Sequence, residues 1–157
     1  MITLKYIKDE IQKIAEAIEA VLEIDVTIVD ENLVRVAGTG IYVEKIGKKV
    51  NGYSAFKKSI IEQSNILITD PSCNEICKEC YSRSDCREFS EMCCPIVCEG
   101  KSYGVIGLIA FDSEQADRIN KDHENLINFL GKMADLISNK LKAQIKAYEL
   151  ELEKKKL

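Results

Sequence analysis

The chain has 157 residues, 46% of them hydrophobic, enough to build one domain around its own core without disulfide staples. A net charge of −4 and a pI near 5.2 set the chain as a whole against a phosphate backbone, so direct nucleic-acid binding is not expected. Charged residues interrupt every apolar run before signal-peptide or membrane-spanning length, so no membrane partner is expected and the reading is a cytoplasmic protein whose thiols stay reduced.

Leu4, Ile7, Ile11, Ile14, Ile18 and Val21 recur at steps of three and four, which predicts an N-terminal helix with one narrow apolar stripe. Ile24 to Asp30 alternates in the β-branched manner of a strand. Glu31-Asn32 turns it into a second strand, Leu33 to Ala37. Gly38-Thr39-Gly40 ends the hairpin, and a short apolar piece, Ile41 to Val43, follows. The basic group Lys45, Lys48 and Lys49, beside Gly47 and Asn51-Gly52, reads as a solvated loop. Ser54 to Gln63 is a short helix and Ile66 to Thr69 a strand.

Asp70-Pro71-Ser72 opens a polar loop of a length unusual inside a compact domain, so something must order it. Met92 to Cys98 and Tyr103 to Phe111 form a second hairpin around Glu99-Gly100-Lys101-Ser102, with Gly104 and Gly107 as packing glycines inside a strand. From Ser113 one long helix is expected, its stripe Leu126, Leu130, Met133, Ile137, Leu141, Ile145, Tyr148 and Leu152 running past any core the domain offers. The order of elements gives an α+β fold, an antiparallel sheet with helices on its faces. The charged helical end looks cut short.

All seven cysteines fall between Cys73 and Cys98, the first four as CxxxCxxCxxxxxC over Cys73, Cys77, Cys80 and Cys86. Thiolates are soft ligands that select zinc, Cu(I) or iron-sulfur clusters, and a Cys-x-x-Cys pair turns both sulfurs onto one metal without backbone strain. A metal tie would order the long loop, and folding the loop back on the following strand points to Cys94 as fourth ligand, with Cys73 as the alternative. A zinc site of four cysteines and a reversible dithiol switch are the competing readings. At least two of Cys93, Cys94 and Cys98 are expected to be ordinary buried residues of a core strand. His123, between Asp122 and Glu124, is a solvated helix position, and no nucleophile-histidine pairing suggests itself, so no enzyme is read here.

Pro95-Ile96, the turn at Glu99-Gly100-Lys101 and Gly104-Val105-Ile106-Gly107-Leu108 within this element order resemble the GAF family of small sensory domains over roughly residues 5 to 141. The run CxxCxxRxxCxE from Cys77 to Glu88, with Cys93-Cys94-Pro95-Ile96 and Gly104 to Phe111, resembles the N-terminal sensor of bacterial sigma-54-dependent transcription activators. The resemblance implies a GAF-like domain over 1–141 with its cysteine-rich loop at 73–98. Residues 142–157 would begin a helical linker toward an AAA+ output domain, of which the chain carries no phosphate loop. The spacing of Cys77, Cys80 and Cys86 is also similar to oxygen-sensing regulators of the fumarate and nitrate reduction type, where a [4Fe-4S] cluster takes three close cysteines and one distant one. That likeness implies a fourth ligand among Cys93, Cys94 and Cys98. An actinobacterial iron-sulfur family of related spacing favours Cys73 instead.

The expected function is therefore a regulatory domain whose [4Fe-4S] cluster, held by Cys77, Cys80, Cys86 and Cys94 or Cys73, senses redox state, oxygen or nitric oxide. The alternative is a small-molecule-binding GAF module with structural zinc. The two long apolar stripes further predict a homodimer through the N- and C-terminal helices.

Overall fold

The computed structural model describes residues 2–50, 55–69 and 90–156. Five antiparallel strands, β1 (Asp25–Asp30), β2 (Arg35–Gly38), β3 (Ile66–Ile68), β4 (Ser90–Cys98) and β5 (Lys101–Ala110), form one sheet in the order β2-β1-β5-β4-β3. The two hairpins read from the sequence therefore lie side by side, joined where β1 pairs with β5 over six positions from Asp25↔Ile109 to Asp30↔Gly104.

Both hairpin turns follow from local chemistry. Between β4 and β5 the turn is Glu99-Gly100, both at positive φ (52° and 81°), the two-residue geometry whose twist matches the flanking strands. Between β1 and β2 the Asp30 carboxylate accepts from the backbone N–H of Asn32 and Val34 at 2.8 and 3.0 Å, with Leu33 at φ 64°. That turn consumes Leu33 and Val34, so the second strand starts at Arg35, two residues later than the sequence suggests.

One face of the sheet is covered by α1 (Lys8–Leu22), α3 (Ser113–Lys121) and α4 (His123–Lys156). Ile11, Ile18, Ile28, Met92, Leu108 and Ile137 form the centre of that core. The other face carries α2 (Ala55–Glu62) and a 3-10 segment, Gly40–Lys45, over a smaller apolar cluster that includes Val29, Tyr42, Phe56, Cys93 and Ile109.

Two helical expectations need correction. The N-terminal helix begins as a 3-10 turn, Leu4–Ile7, before the α-helical part. The predicted single C-terminal helix is two, broken at Asp122 (φ −120°). Asp112 caps the first by accepting from Gln115 N–H at 2.7 Å, and Asp122 accepts from the Asn125 side chain at 2.8 Å, so a second acidic residue of cap type stands where one helix ends and the next begins.

Gly104 and Gly107 are packing glycines, as read. A Cβ on Gly104 would run into the Val29 carbonyl, and one on Gly107 would stand 2.6 Å from Phe56 Cε1 and 3.1 Å from Thr27 Cγ2. The bare backbone of β5 is what lets α2 seat its phenyl ring on the sheet.

Candidate functional site

Strand alternation puts successive side chains on opposite faces, and the pairing register sets which of them meet. Ile66, Cys93, Gly107 and Thr27 lie in one row across β3, β4, β5 and β1. Val29 is paired with Arg35, which places Arg35 on the same face, and Glu91 shares it two residues before Cys93.

This α2-side face is apolar at its centre and carries buried polar groups at its margins. Arg35 is 7% exposed, Glu91 6% and Thr27 fully buried. Arg35 Nε donates to Thr27 Oγ1 at 2.6 Å, and its guanidinium lies 4.6 Å from the centre of the Tyr42 ring, a cation-π geometry. Tyr42 packs in turn on Phe111, ring centres 5.9 Å apart. The Cys93 thiol donates to Glu91 Oε1 at 3.5 Å. Removing a guanidinium and a carboxylate from water costs several kcal/mol each unless both are met by partners, so a face that holds both is chemically committed to polar contacts. Arg35 carries a planar fork of donors and Glu91 a pair of acceptor oxygens, both with further partners in the protein besides those named, and Tyr42 and Phe111 carry flat apolar surfaces.

The helix-side face of the same strand is different. Cys94 and Cys98 are buried in the core beneath α4. The Cys94 thiol lies 3.8 Å from the Pro95 carbonyl, and burial, with the Asp135 charge adding to it, pushes its pKa up to about 11. Cys98 Sγ lies 3.8 Å from Ser138 O, and Ser138 Oγ donates to Val97 O at 3.0 Å, tying β4 to α4.

Of the candidate metal ligands, Cys73, Cys77, Cys80 and Cys86 lie outside the described residues. Cys94 is described: its thiol is buried under α4 near the Asp135 charge, which raises its pKa in the metal-free protein. Among the described residues, no three His, Cys, Asp or Glu side chains converge on a metal position. His123 is partly exposed, its Nδ1 3.1 Å from the Asn120 carbonyl at the junction of α3 and α4.

Sequence reasoning passed over Arg35, Glu91, Thr27 and Tyr42. The available signal was a charge in the middle of an apolar strand, Val34-Arg35-Val36-Ala37, and an acid just ahead of another, Glu91-Met92.

Comparison with known proteins is consistent with this architecture. The family described as stage V sporulation protein T C-terminal, transcription factor, matches residues 7–135. The chain belongs to that family. It is also 32% identical over 139 residues, 88% of its length, to UacR of Escherichia coli strain K12, whose name gives it as a uric acid sigma-54-dependent transcriptional regulator. The chain spans about a quarter of the length of that relative, matching 24% of it.

Among solved structures, the GAF domain of a phosphoenolpyruvate-protein phosphotransferase from Coxiella burnetii superposes with a TM-score of 0.67 at 12% identity, covering 96% of this chain and 88% of that one. The nlh2 GAF domain of A. Aeolicus gives 0.66 at 13%, covering 87% and 85%. A type II free methionine-R-sulfoxide reductase from Thermoplasma acidophilum gives 0.63 at 14%, covering 88% and 94%. The fold is thus that of a GAF domain, a scaffold on which both binding domains and enzymes are built. Among the described residues no helix is long and apolar enough to cross a membrane.

Proposed function

We propose that this chain is the signal-receiving domain of a cytoplasmic transcription regulator, and that the α2-side face of its sheet binds a flat, hydrogen-bonding heterocycle of the oxopurine class, uric acid first among them. The observation that carries the reading is the buried pair of polar groups, Arg35 on Tyr42 and Glu91 beside Cys93, flanking an apolar floor on one face. An oxopurine presents ring carbonyls and, when ionised, a delocalised negative charge to a guanidinium. It presents ring N–H groups to a carboxylate and a flat face to aromatic rings. The name of the E. coli relative supports the same class.

In this reading the chain binds and does not catalyse. Residues 1–141 form the sensor and 142–157 the start of a linker toward an AAA+ output domain.

Isothermal titration of the protein with uric acid and with xanthine, which lacks the carbonyl oxygen on C8, tests it. Saturable binding of uric acid is expected, about tenfold weaker in Arg35→Met, which keeps bulk over Tyr42 but removes the charge-assisted bonds. Absence of uric acid binding, or unchanged affinity in Arg35→Met, overturns the reading.

The spacing of Cys77, Cys80 and Cys86 supports a second reading, an iron-sulfur or zinc site whose fourth ligand is Cys94 or, alternatively, Cys73. Purification without air, an absorption spectrum and metal analysis test it. A brown protein with iron and sulfide supports the cluster, stoichiometric zinc in a colourless protein supports the structural site, and a metal-free protein removes both.

A further inference from the structure

The apolar stripe at the N-terminus does not end as it begins. Leu4, Ile7, Ile11, Ile14 and Ile18 are buried, whereas Val21, its last member, is 73% exposed. Val21 lines a groove of about 570 Å³ where the end of α1 meets α3 and the start of α4, on the side of the sheet away from α2. Leu22, Ile24 and Leu126 complete its apolar lining, and its charged lining is Glu114, Asp117, Arg118, Lys121 and Asp122. One of the two cations is already committed. Arg118 donates to the Leu22 and Glu23 carbonyls at 3.0 and 3.3 Å, and its guanidinium lies 3.6 Å from the Glu23 carboxylate. It meets the negative end of α1, a helix with no basic residue in its own last turn. With Arg118 turned to that end, the groove sets the carboxylates of Glu114, Asp117 and Asp122 against the single ammonium of Lys121.

We propose that this groove is a ligand site, apart from the α2-side face, that takes a free aliphatic diamine or polyamine. Two properties select that class. Glu114 and Asp117 lie one turn apart on the same side of α3 and Asp122 stands just past its end, so the negative charge is drawn out along the groove. A divalent metal needs its ligands to converge, and among the described residues no three His, Cys, Asp or Glu side chains do so. Ammonium groups joined by a flexible chain need no convergence. The chain of methylenes between them covers Val21, Leu22, Ile24 and Leu126, apolar surface that an inorganic cation would leave wet. A ligand seated there touches α1, α3 and α4 at once, across the break at Asp122, and its binding favours the arrangement in which the three helices are held together.

The inference is independent of what the α2-side face binds. Isothermal titration with putrescine, cadaverine and hexamethylenediamine, each one methylene longer than the last, tests it in about 0.15 M salt, where diffuse attraction between exposed charges is largely screened. Saturable binding is expected, tightening about two- to threefold with each methylene as more of the apolar lining is covered. Glu114→Gln combined with Asp117→Asn is expected to weaken it about five- to tenfold, and Lys121→Glu to tighten it about twofold. These three positions are exposed, so unchanged circular dichroism will show that the fold survives each change. Magnesium chloride at equal ionic strength is expected to leave the affinity as it was. No saturable binding, equal affinity for the three diamines, an unchanged affinity in the double variant, or displacement by magnesium overturns the proposal. So does binding of an oligolysine peptide without binding of the free diamines.

Discussion

Cys93 and Cys94 are neighbours on β4 that point to opposite sides of the sheet: the Cys93 thiol faces α2 and donates to Glu91, and the Cys94 thiol lies under α4 within the electrostatic reach of Asp135. A one-residue step along a strand thus separates a thiol on the candidate binding face from one in the main core.

The two thiols are expected to behave differently. With its pKa at about 11, Cys94 is almost entirely protonated at pH 7.5, fewer than about one molecule in a thousand carrying the reactive thiolate. Iodoacetamide followed by peptide mass mapping should leave Cys94 unmodified in the folded protein and label it once urea unfolds the chain. Cys94→Ala should cost about 1–2 kcal/mol in urea unfolding for the lost core volume. Rapid labelling of Cys94 in the native state would contradict the burial described.

Asp25 supplies a pH signature. Burial raises its carboxyl above the ordinary value of 3.8, and a hydrogen bond with Thr39 offsets part of that. The folded chain therefore holds this proton more tightly than the unfolded chain does. Its contribution to stability is present below the unfolded pKa and is lost as pH rises through the folded one. Asp25→Asn removes the titration. Between about pH 3 and pH 6 the urea midpoint of Asp25→Asn should gain on that of the unaltered protein, and a constant difference across the range would show that Asp25 is not perturbed.

Gly107 couples the sheet to α2. In Gly107→Val, side-chain atoms would occupy the place of the Phe56 ring and press on Thr27, the partner of Arg35. We expect a loss of about 1–3 kcal/mol. Gly107→Val combined with Phe56→Leu should recover part of it, because the shorter side chain vacates the contact. Additive losses in thermal or urea unfolding would mean that the two residues do not meet.

Much of the fold was legible because its signals are local. β-branched alternation marks β1 and β5, a Gly with a residue tolerant of positive φ marks the β4–β5 turn, and three-four spacing marks the buried side of α1 and of α4. The α+β architecture followed from the order of these elements, and its GAF-like character from the resemblance of Pro95-Ile96, Glu99-Gly100-Lys101 and Gly104 to Leu108 to that family. The start of β2 was misplaced because Asp30 folds its side chain back onto the turn, a competition between side chain and backbone that alternation does not register. The long C-terminal helix was read through Asp122 because an apolar spacing can continue in sequence across a residue whose backbone leaves the helical conformation.

What the residues settle by themselves is which segments are helix, which are strand, and that seven thiols crowd one stretch of the chain. Only the tertiary structure decides that Arg35, Thr27, Glu91 and Cys93 share one face, since strands distant in sequence are brought side by side by the crossing of β1 onto β5. It likewise decides that the apolar stripe of α4 is buried in the chain's own core as far as Leu141 while Tyr148 and Leu152, on the same stripe, are exposed. The reason is physical: side-chain direction along an element has a fixed period, but which direction is inward is set by the partner that excludes water from it, and that partner lies elsewhere in the chain.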